Sequence, residues 1–345
     1  MNINEIAKMA GVSRATVSRY LNDGYVSKEK REAIGRVIEE TGYQPSSQAQ
    51  TLRTRRTKLI GVILPKINSD TVSRMVAGIS QVLNQKDYRI ILANTANQVE
   101  EEWKYLALFQ ENQVDGVILI GTIFTKKHRK LMEASRVPIV VLGQKLEGYP
   151  CVYQDEFHAS RELTECLLQY GRNIGYIGVT QKDEAAGLGR RKGFEAALKR
   201  QKRTCPLENR RETTFRLEGG YQAAKELMEK NGEIDTIFCA TDTIAVGALV
   251  YLRERGIQVP GQVQVAGMGD TQLGQVMAPA LTSIHFFYKT SGMEAARMMV
   301  DLLENEEAVT KEIRMGYELK IRQSTRSHSS SWDVPQGSQT AQRNA

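Results

Sequence analysis

The stretch Gly11-Val12-Ser13-Arg14-Ala15-Thr16-Val17-Ser18-Arg19 decides the fold of the N-terminus of this chain. Gly11 can end a helix because glycine readily adopts a positive φ. Ser13 is a favourable N-cap for a second helix, which the pattern extends from Arg14 to Asn22. Two short helices that are joined by a glycine-containing turn are typical of a helix-turn-helix.

Residues on both sides of this stretch support the same fold. Apolar residues spaced by three and four positions predict a first helix, with Ile3, Ile6, Ala7 and Ala10 on its inner face. Asn2 and Glu5 are spaced as a capping box at its start. A third helix begins after Ser27, buries Ile34, Val37 and Ile38, and should end near Gly42, since Pro45 disfavours helix in the preceding residue.

The second helix carries the side chains that would read DNA. In a helix-turn-helix the first residues of this helix meet base edges in the major groove, where we place Arg14, Ala15 and Arg19. Arginine can donate two hydrogen bonds to guanine, and alanine can contact a thymine methyl group. Ser13, Thr16 and Ser18 suit phosphate oxygens. A small three-helix domain with ordinary surface arginines is the alternative.

These residues resemble the headpiece of the LacI/GalR family of bacterial transcription regulators. The motif runs Asn4-Glu5-Ile6-Ala7, Ala10-Gly11-Val12-Ser13, Thr16-Val17-Ser18-Arg19 and Leu21-Asn22. The segment Gly42-Tyr43-Gln44-Pro45 resembles the family's hinge. The resemblance implies that Asn22, Tyr43, Ser46 and Ala49 contact DNA and that Leu52 opens a base step in the minor groove. Without the resemblance, residues 46–57 are equally consistent with a flexible basic linker.

Charge is concentrated at the N-terminus. The 345-residue chain has a net charge of +7, and residues 1–58 contribute 11 Lys and Arg against 6 Asp and Glu. This asymmetry predicts a polyanionic partner for the N-terminus. Since 41% of the residues are hydrophobic, the remainder can form a large core of two or three domains.

Several classes of protein are excluded. The four cysteines form no CxxC pair and the four histidines have no metal-ligand spacing, so we expect free thiols, a reducing cytoplasm and no metal or cofactor. No apolar signal segment or long apolar run is present, which argues against a secreted or membrane protein. No phosphate-binding loop, dinucleotide fingerprint or nucleophile elbow occurs, so we do not expect an enzyme.

After residue 58, short apolar runs alternate with amphipathic helical patterns, which predicts two α/β lobes with parallel sheets. The resemblance implies a periplasmic-binding-protein-like core. It predicts a headpiece at 1–45, a hinge at 46–57 and a core at 58–326. Lobe 1 would hold 59–157 and 287–317, and lobe 2 would hold 158–286 and 318–326, with 321–325 resembling the family's closing strand. The Ser/Gln-rich tail 327–345 should be disordered.

Ligands of such sheets bind at the carboxyl ends of the strands, here in a cleft between the lobes. Lys66, Asn68 and Asp155 follow predicted strands. The resemblance adds Arg190, Phe215, Asp242 and Tyr288 as candidate effector contacts. Each aromatic residue could equally be core, and Asp242 could be a helix N-cap.

One departure from the family pattern concerns charge. Many members carry an aspartate that binds sugar hydroxyls where this chain has Gly269. Lys66 and Arg190 meanwhile predict positive charge in the cleft, as phosphate binding requires. The segment from Cys239 to Ala248, together with Gly269, resembles trehalose repressors of the family. These features favour a sugar phosphate over a neutral sugar as the effector.

The sequence therefore predicts a homodimeric repressor of a sugar-utilisation operon. It would bind a pseudo-palindromic DNA operator and would be controlled by a sugar or sugar phosphate between its lobes. A regulator that needs a corepressor or a phosphocarrier protein is the first alternative. A sugar-binding transport protein is a remote one, because it leaves the headpiece unexplained.

Overall fold

The computed structural model describes residues 1–43, 56–111 and 114–326. The predicted minor-groove residues Ser46, Ala49 and Leu52 lie outside these ranges, as does the tail 327–345. What was inferred for them stays a prediction.

Three helices form the headpiece: α1 (Ile3–Met9), α2 (Arg14–Tyr20) and α3 (Lys28–Thr41). The predicted capping box of α1 is confirmed. The Asn2 side chain accepts from the backbone N–H of Glu5, and the Glu5 carboxylate accepts from the backbone N–H of Asn2 at 2.9 Å. The local sequence therefore fixes the start of this helix without help from the rest of the fold.

The turn between α1 and α2 is also as predicted. Gly11 has a φ of +63°, and the Ser13 side chain accepts a hydrogen bond from the backbone N–H of Thr16 at 3.2 Å. Helix α2 ends at Tyr20, earlier than the predicted Asn22. Helix α3 ends at Gly42, which has a left-handed conformation.

The core of the headpiece is small but closed. Ile6, Val17 and Ile34 are completely buried, one from each helix, and Val26 packs with them from the connection before α3. Because Val17 faces inward, the opposite side of α2 is left to solvent. This packing presents the residues that were predicted to read DNA.

In the described part of the chain, twelve strands form two sheets of six. The first sheet contains β1 (Leu59–Leu64), β2 (Arg89–Asn94), β3 (Gly116–Leu119), β4 (Ile139–Leu142), β5 (Cys151–Gln154) and β11 (Glu312–Met315). The second contains β6 (Ile174–Gly178), β7 (Arg210–Glu212), β8 (Thr236–Cys239), β9 (Gln264–Met268), β10 (Thr282–Phe286) and β12 (Tyr317–Lys320). Their orders are β11-β5-β4-β3-β1-β2 and β12-β10-β9-β8-β6-β7, and all pairs are parallel except β10 with β12.

Helices surround each sheet. Those of the first lobe are α4 (Asp70–Asn84), α5 (Val99–Glu111), α6 (Lys126–Glu133) and α12 (Tyr288–Glu304). Those of the second are α7 (Glu156–Leu168), α8 (Arg190–Arg200), α9 (Leu217–Lys230), α10 (Asp242–Glu254) and α11 (Gln272–Val276), and a π-helical turn (Glu184–Gly189) leads into α8. The two-lobed α/β architecture that was predicted is confirmed.

The chain passes between the sheets three times: after β5, after β10 and between β11 and β12. The third passage is a single residue, Gly316, which joins a strand of the first sheet to a strand of the second. The domain boundaries that were assigned from sequence stay predictions.

The closing strand is shifted from its predicted position. It is Tyr317–Lys320, whereas residues 321–325 are not a strand. Ser324 nevertheless holds this segment to the second lobe, since its hydroxyl donates to the Val265 carbonyl and accepts from the Thr282 backbone N–H at 2.8 Å. These side-chain hydrogen bonds add to two backbone bonds, from the Val265 N–H to the Ser324 carbonyl oxygen and from the Ser324 N–H to the Ala280 carbonyl oxygen.

Strand β10 was not predicted because its sequence is partly polar. Thr282 and Ser283 are completely buried. Their hydroxyl groups bond to Thr325 and Asp242, which are far away in the sequence. Since these partners come from the tertiary structure, the hydrophobic pattern of the strand does not show its burial.

Close helix packing in the first lobe depends on two glycines. Helices α4 and α12 approach so closely that a Cβ atom on Gly78 would lie 2.0 Å from the Lys289 carbonyl oxygen. A Cβ atom on Gly292 would lie 2.0 Å from the Met75 carbonyl oxygen. Both obstacles are backbone atoms, so a side chain at either position would force the helices apart.

We expect Gly292→Ala to lower the free energy of unfolding by about 1–3 kcal/mol, the usual cost of overpacking. Gly316→Ala is the matched control, because nothing lies within 4 Å of a Cβ atom at that position. Chemical denaturation of both variants would measure the difference. Equal stability of the two variants would contradict the proposed role of the close helix contact.

Candidate DNA-reading surface and effector cavity

The exposed face of α2 presents the residues that were predicted to meet bases. Arg14, Ala15 and Arg19 are exposed, and neither arginine makes a side-chain hydrogen bond or ion pair within the described part of the chain. Both guanidinium groups are therefore available to an outside acceptor. Their contact with DNA stays a prediction.

Other predicted DNA contacts are used within the headpiece. The Ser13 hydroxyl lies 2.9 Å from the Thr16 hydroxyl and caps α2, and the Asn22 side chain donates to the Ser18 carbonyl oxygen. Tyr43 is half-buried against the headpiece core. These groups shape the reading helix, whether or not they also contact phosphates.

Tyr25 is a further candidate for DNA contact that was not predicted from the sequence. It lies in the connection between α2 and α3, and 90% of its surface is exposed. Tyrosine hydroxyl groups are common phosphate ligands at protein–DNA interfaces. The available signal was an aromatic residue in an otherwise polar turn beside a helix that is predicted to read DNA.

A cavity of about 420 Å³ lies between the two lobes, at the carboxyl ends of their strands. This volume is within the range of about 300–1,000 Å³ that is usual for small-molecule sites. We call it the effector cavity. Of the eight candidate effector contacts, six line it: Lys66, Asn68, Arg190, Phe215, Asp242 and Tyr288.

Arg190 forms a buried ion pair on the floor of this cavity. Its Nε and Nη2 atoms donate to the two carboxylate oxygens of Glu156 at 2.7 and 3.0 Å, and Nη1 donates to the Ala240 carbonyl oxygen. Only 4% of Arg190 is exposed. Burial works against the charged form, but the Glu156 carboxylate and the Tyr288 phenol more than offset it and raise the pKa of Arg190.

The Asp242 carboxylate links α10 to the segment after β9 and to β10 in the second lobe. It accepts from the backbone N–H of Thr271 at 2.6 Å and from the hydroxyl groups of Thr271 and Ser283. The alternative interpretation of Asp242 as a helix N-cap is wrong: the cap of α10 is Thr241, whose hydroxyl accepts from the Ile244 N–H at 3.3 Å.

Asp155 and Gly269 lie outside the lining of the effector cavity. Asp155 caps α7, and its carboxylate lies 2.8 Å from His158 Nδ1 and 3.5 Å from Arg314 Nη1. Gly269 lies where the lobes touch: its carbonyl oxygen accepts from Arg74 at 2.7 Å. Both residues follow strands, as predicted, but their contacts with neighbouring residues hold them outside the lining of the effector cavity.

The prediction of a surplus of positive charge in the cavity is wrong. Lys66 and Arg190 line it together with the carboxylates of Asp70, Glu156, Asp183 and Asp242. Moreover, the charge of Arg190 is already neutralised by Glu156. The sequence shows the cationic residues but not the acidic side chains that the fold places beside them.

Two further polar residues of the cavity were missed. Asp183 and Gln144 face each other across the lobes, and the Gln144 amide donates to the Asp183 carboxylate at 3.2 Å and to the Thr122 carbonyl oxygen. Gln144 comes two residues after β4, so the rule that ligands bind at strand ends could have found it.

A helix-turn-helix that precedes a two-lobed α/β core with an interlobe cavity defines the class of ligand-controlled DNA-binding regulators. Residues 2–46 match the family described as bacterial regulatory proteins, lacI family. Residues 167–325 match the periplasmic binding protein-like domain.

Curated relatives extend this match over most of the chain. The sucrose operon repressor of Staphylococcus xylosus is 30% identical over 306 residues, which cover 88% of this chain and 94% of that protein. The ribose operon repressor of Halalkalibacterium halodurans is 30% identical over 331 residues, which cover 94% and 97%. The chain therefore belongs to the LacI family of bacterial regulatory proteins, and it is a regulator rather than an enzyme.

Solved structures share the fold. The complex of the transcriptional regulator CelR with cellobiose has a TM-score of 0.72 and 27% identity, and the match covers 94% of this chain and 99% of that one. The lac repressor dimer bound to operator and the anti-inducer ONPF has a TM-score of 0.86 at 22% identity, covering 95% and 99%.

Neither a metal-binding cluster nor a membrane-spanning helix occurs among the described residues. They contain no group of three or more His, Cys, Asp or Glu side chains that could hold a metal ion. None of their helices combines the length and the apolar composition that crossing a membrane requires.

The buried carboxyl group of Asp183 makes stability depend on pH. Burial raises the pKa of Asp183 to about 6 from its ordinary value of 3.8, although the backbone N–H of Ala186 and the nearby Arg190 oppose this. The folded state thus keeps this proton at a pH where the unfolded chain has lost it. The stability that the protonated Asp183 carboxyl group contributes is largest below its ordinary pKa of 3.8, and it is lost as the pH rises through about 6.

We expect the stability of Asp183→Asn relative to the wild type to increase by about 1–2 kcal/mol between pH 5 and pH 8, because the wild-type carboxyl group ionises in the folded state over this range. Asparagine keeps the shape and the acceptor oxygen but cannot ionise. Denaturation at both pH values would measure the change, and the exposed Asp87→Asn would serve as the control. A constant difference between variant and wild type at the two pH values would contradict this assignment.

Proposed function

We propose that this protein represses transcription by binding operator DNA through its headpiece and that a neutral sugar in the effector cavity controls this binding. The observation that carries the proposal is the combination of an unpaired arginine face on α2 with a cavity between two lobes whose lining holds several carboxylates and a paired arginine. Its curated relatives include repressors of sucrose and ribose operons, and a structural relative is bound to cellobiose.

A neutral sugar fits the cavity better than a sugar phosphate. A phosphate group would need cations that are free to bind it. Arg190 is already held by both carboxylate oxygens of Glu156, which leaves Lys66 as the one cation of the lining without an ion pair among the described residues. The Asp183 carboxylate would also repel a second anion, whereas Asp70 is paired with Arg74 at 2.7 Å. Sugar hydroxyl groups can donate to these carboxylates and accept from the Lys66 ammonium group.

Contacts across the lobes provide a route for control. The Arg74 guanidinium donates to the Gly269 carbonyl oxygen at 2.7 Å, and Gln144 donates to Asp183. The Gln144–Asp183 bond lies in the lining of the effector cavity, so a sugar that rearranges it would favour one relative position of the lobes. We propose that the sugar favours the state with low operator affinity, because an effector acts through its different affinities for two states.

A homodimer that reads a pseudo-palindrome is part of the proposal, because two headpieces are then presented to two half-sites. Exposed apolar side chains on the edge strand β2, Ile91 and Leu92, together with Leu108 on α5, give a surface that a second copy could cover.

Gel shifts with sheared genomic DNA would test the function. We expect a few specific fragments to be retained by the protein and released by one neutral sugar, but not by its 6-phosphate. Release by the phosphate alone would contradict the neutral-sugar proposal. Fragments that are retained only after a sugar or a phosphocarrier protein is added would instead identify a corepressor or a required partner.

A single substitution would test the reading helix. We expect Arg19→Ala to lower affinity for the preferred operator by about 1–3 kcal/mol and to relax base preference at one half-site position. Binding to half-site libraries at one fixed salt concentration would measure both effects. Arg36→Ala, an exposed arginine on α3, is the control. A uniform loss of affinity for all sequences would show that Arg19 contacts phosphate instead.

A further inference from the structure

A second cavity of about 290 Å³ adjoins the effector cavity on the side where the chain passes between the lobes. We call it the hinge-side cavity. Its lining includes the segment from Tyr153 to His158, which leads from β5 into α7, and Arg314 on β11.

The two cavities share a wall. Five residues line both of them: Gly143, Gln144, Gln154, Glu156 and Ala185. Each of these residues has one cavity on either side, so a single residue separates the two cavities at that point. A ligand with more than one ring could therefore extend from one cavity into the other by a small displacement of the Gln144 or Gln154 side chain.

Gln154 carries an unused acceptor in this wall. Only 4% of the residue is exposed, and its Oε1 atom is buried without a hydrogen-bond partner among the described residues. The direction of the amide follows from its other contact. Ser291 donates its hydroxyl hydrogen to the Tyr288 carbonyl oxygen, so it can only accept from Gln154 Nε2, which lies 3.2 Å away.

An unpartnered buried acceptor is unfavourable because it loses its bond to water without gaining another. The Oε1 atom of Gln154 therefore lacks a donor, and a hydroxyl group of a ligand that passes between the cavities would supply it. Carbohydrates carry such hydroxyl groups on every ring.

The hinge-side cavity also suits a neutral ligand. The Asp155 carboxylate is paired with His158 and Arg314, and Lys145 pairs with Glu312 at 2.8 Å. Half-buried aromatic rings of Tyr153 and Phe157 provide apolar surface beside these polar groups. A mixture of aromatic surface and compensated polar groups is typical of a small-molecule site.

We propose that the hinge-side cavity is a second sugar subsite and that the effector is a neutral carbohydrate of at least two rings, which donates a hydroxyl hydrogen to Gln154 Oε1 as it spans the wall. This inference rests on the proposed function, because it names the substrate class of the same site.

Calorimetry with the full-length protein would test the second subsite. The probes are glucose, fructose and ribose against sucrose, maltose, cellobiose and trehalose. We expect at least one disaccharide to bind about tenfold or more tightly than any of the monosaccharides, a difference of about 1.4 kcal/mol. A monosaccharide that binds as tightly as every disaccharide would overturn the second subsite while leaving the proposed function intact. Failure of every sugar to bind would contradict the proposed function itself.

Blocking the hinge-side cavity separates its role from that of the effector cavity. Glu184 lines only the hinge-side cavity and is exposed. We expect Glu184→Trp to fill this space and abolish the preference for the disaccharide, whereas the control Glu184→Ala should keep it. An unchanged preference in Glu184→Trp would overturn the proposal, because the second ring would then lie elsewhere.

Gln154→Met supplies a second, independent variant. Methionine has a similar length but offers no strong acceptor, so we expect disaccharide affinity to fall on the order of tenfold. Monosaccharide affinity should change by less, and thermal unfolding of the sugar-free protein should stay close to that of the wild type. Equal losses for both kinds of sugar would contradict a contact that is made as the ligand spans the wall.

Discussion

The buried pair of Arg190 and Glu156 is the interaction on which the arrangement of the core depends. Glu156 is the first residue of α7, directly after the first passage between the lobes, and Arg190 is the first residue of α8. Their bond, with the contact from Arg190 to the Ala240 carbonyl oxygen, joins that passage to the end of β8. Since breaking such a pair by removing one partner usually costs about 3–5 kcal/mol, the floor of the cavity is firmly fixed.

The same pair determines the chemistry of the cavity. An arginine that is bound at both ends of its guanidinium group cannot act as a free cation, so the described lining is left with the ammonium group of Lys66 and several carboxylate acceptors. A hydroxyl-rich neutral ligand matches these groups. An element that stabilises the fold therefore also limits the class of ligand.

Close helix contacts oppose internal motion in each lobe. Glycines allow the backbones of α4 and α12 to touch in the first lobe, and in the second lobe Gly220 and Gly247 do the same for α9 and α10. Helices in such close contact have little freedom to slide. Relative motion is then concentrated at the passages between the lobes, where Gly316 is a single residue with open space around it. Rigid lobes joined by short passages are suited to hinge closure around a ligand.

The sequence by itself determined the elements whose signals are local. The capping box of α1 and the glycine turn before α2 follow from neighbouring residues, and the structure confirms them. Strand alternation also predicted two α/β lobes. Most of the candidate effector residues followed from strand ends or from the family resemblance, and six of the eight line one cavity.

Only the tertiary structure decided which partners these residues have. The pairing of Arg190 with Glu156 spans 34 positions, and the unused acceptor of Gln154 depends on Ser291, which is 137 positions away. The burial of Thr282 and the attachment of residues 321–325 to the second lobe likewise depend on distant hydrogen bonds. Local sequence patterns predict helices, strands and turns because these elements form between residues that are close in the sequence. Charge compensation and unsatisfied polar groups depend on distances between residues that are far apart in the sequence, and only the folded chain sets these distances.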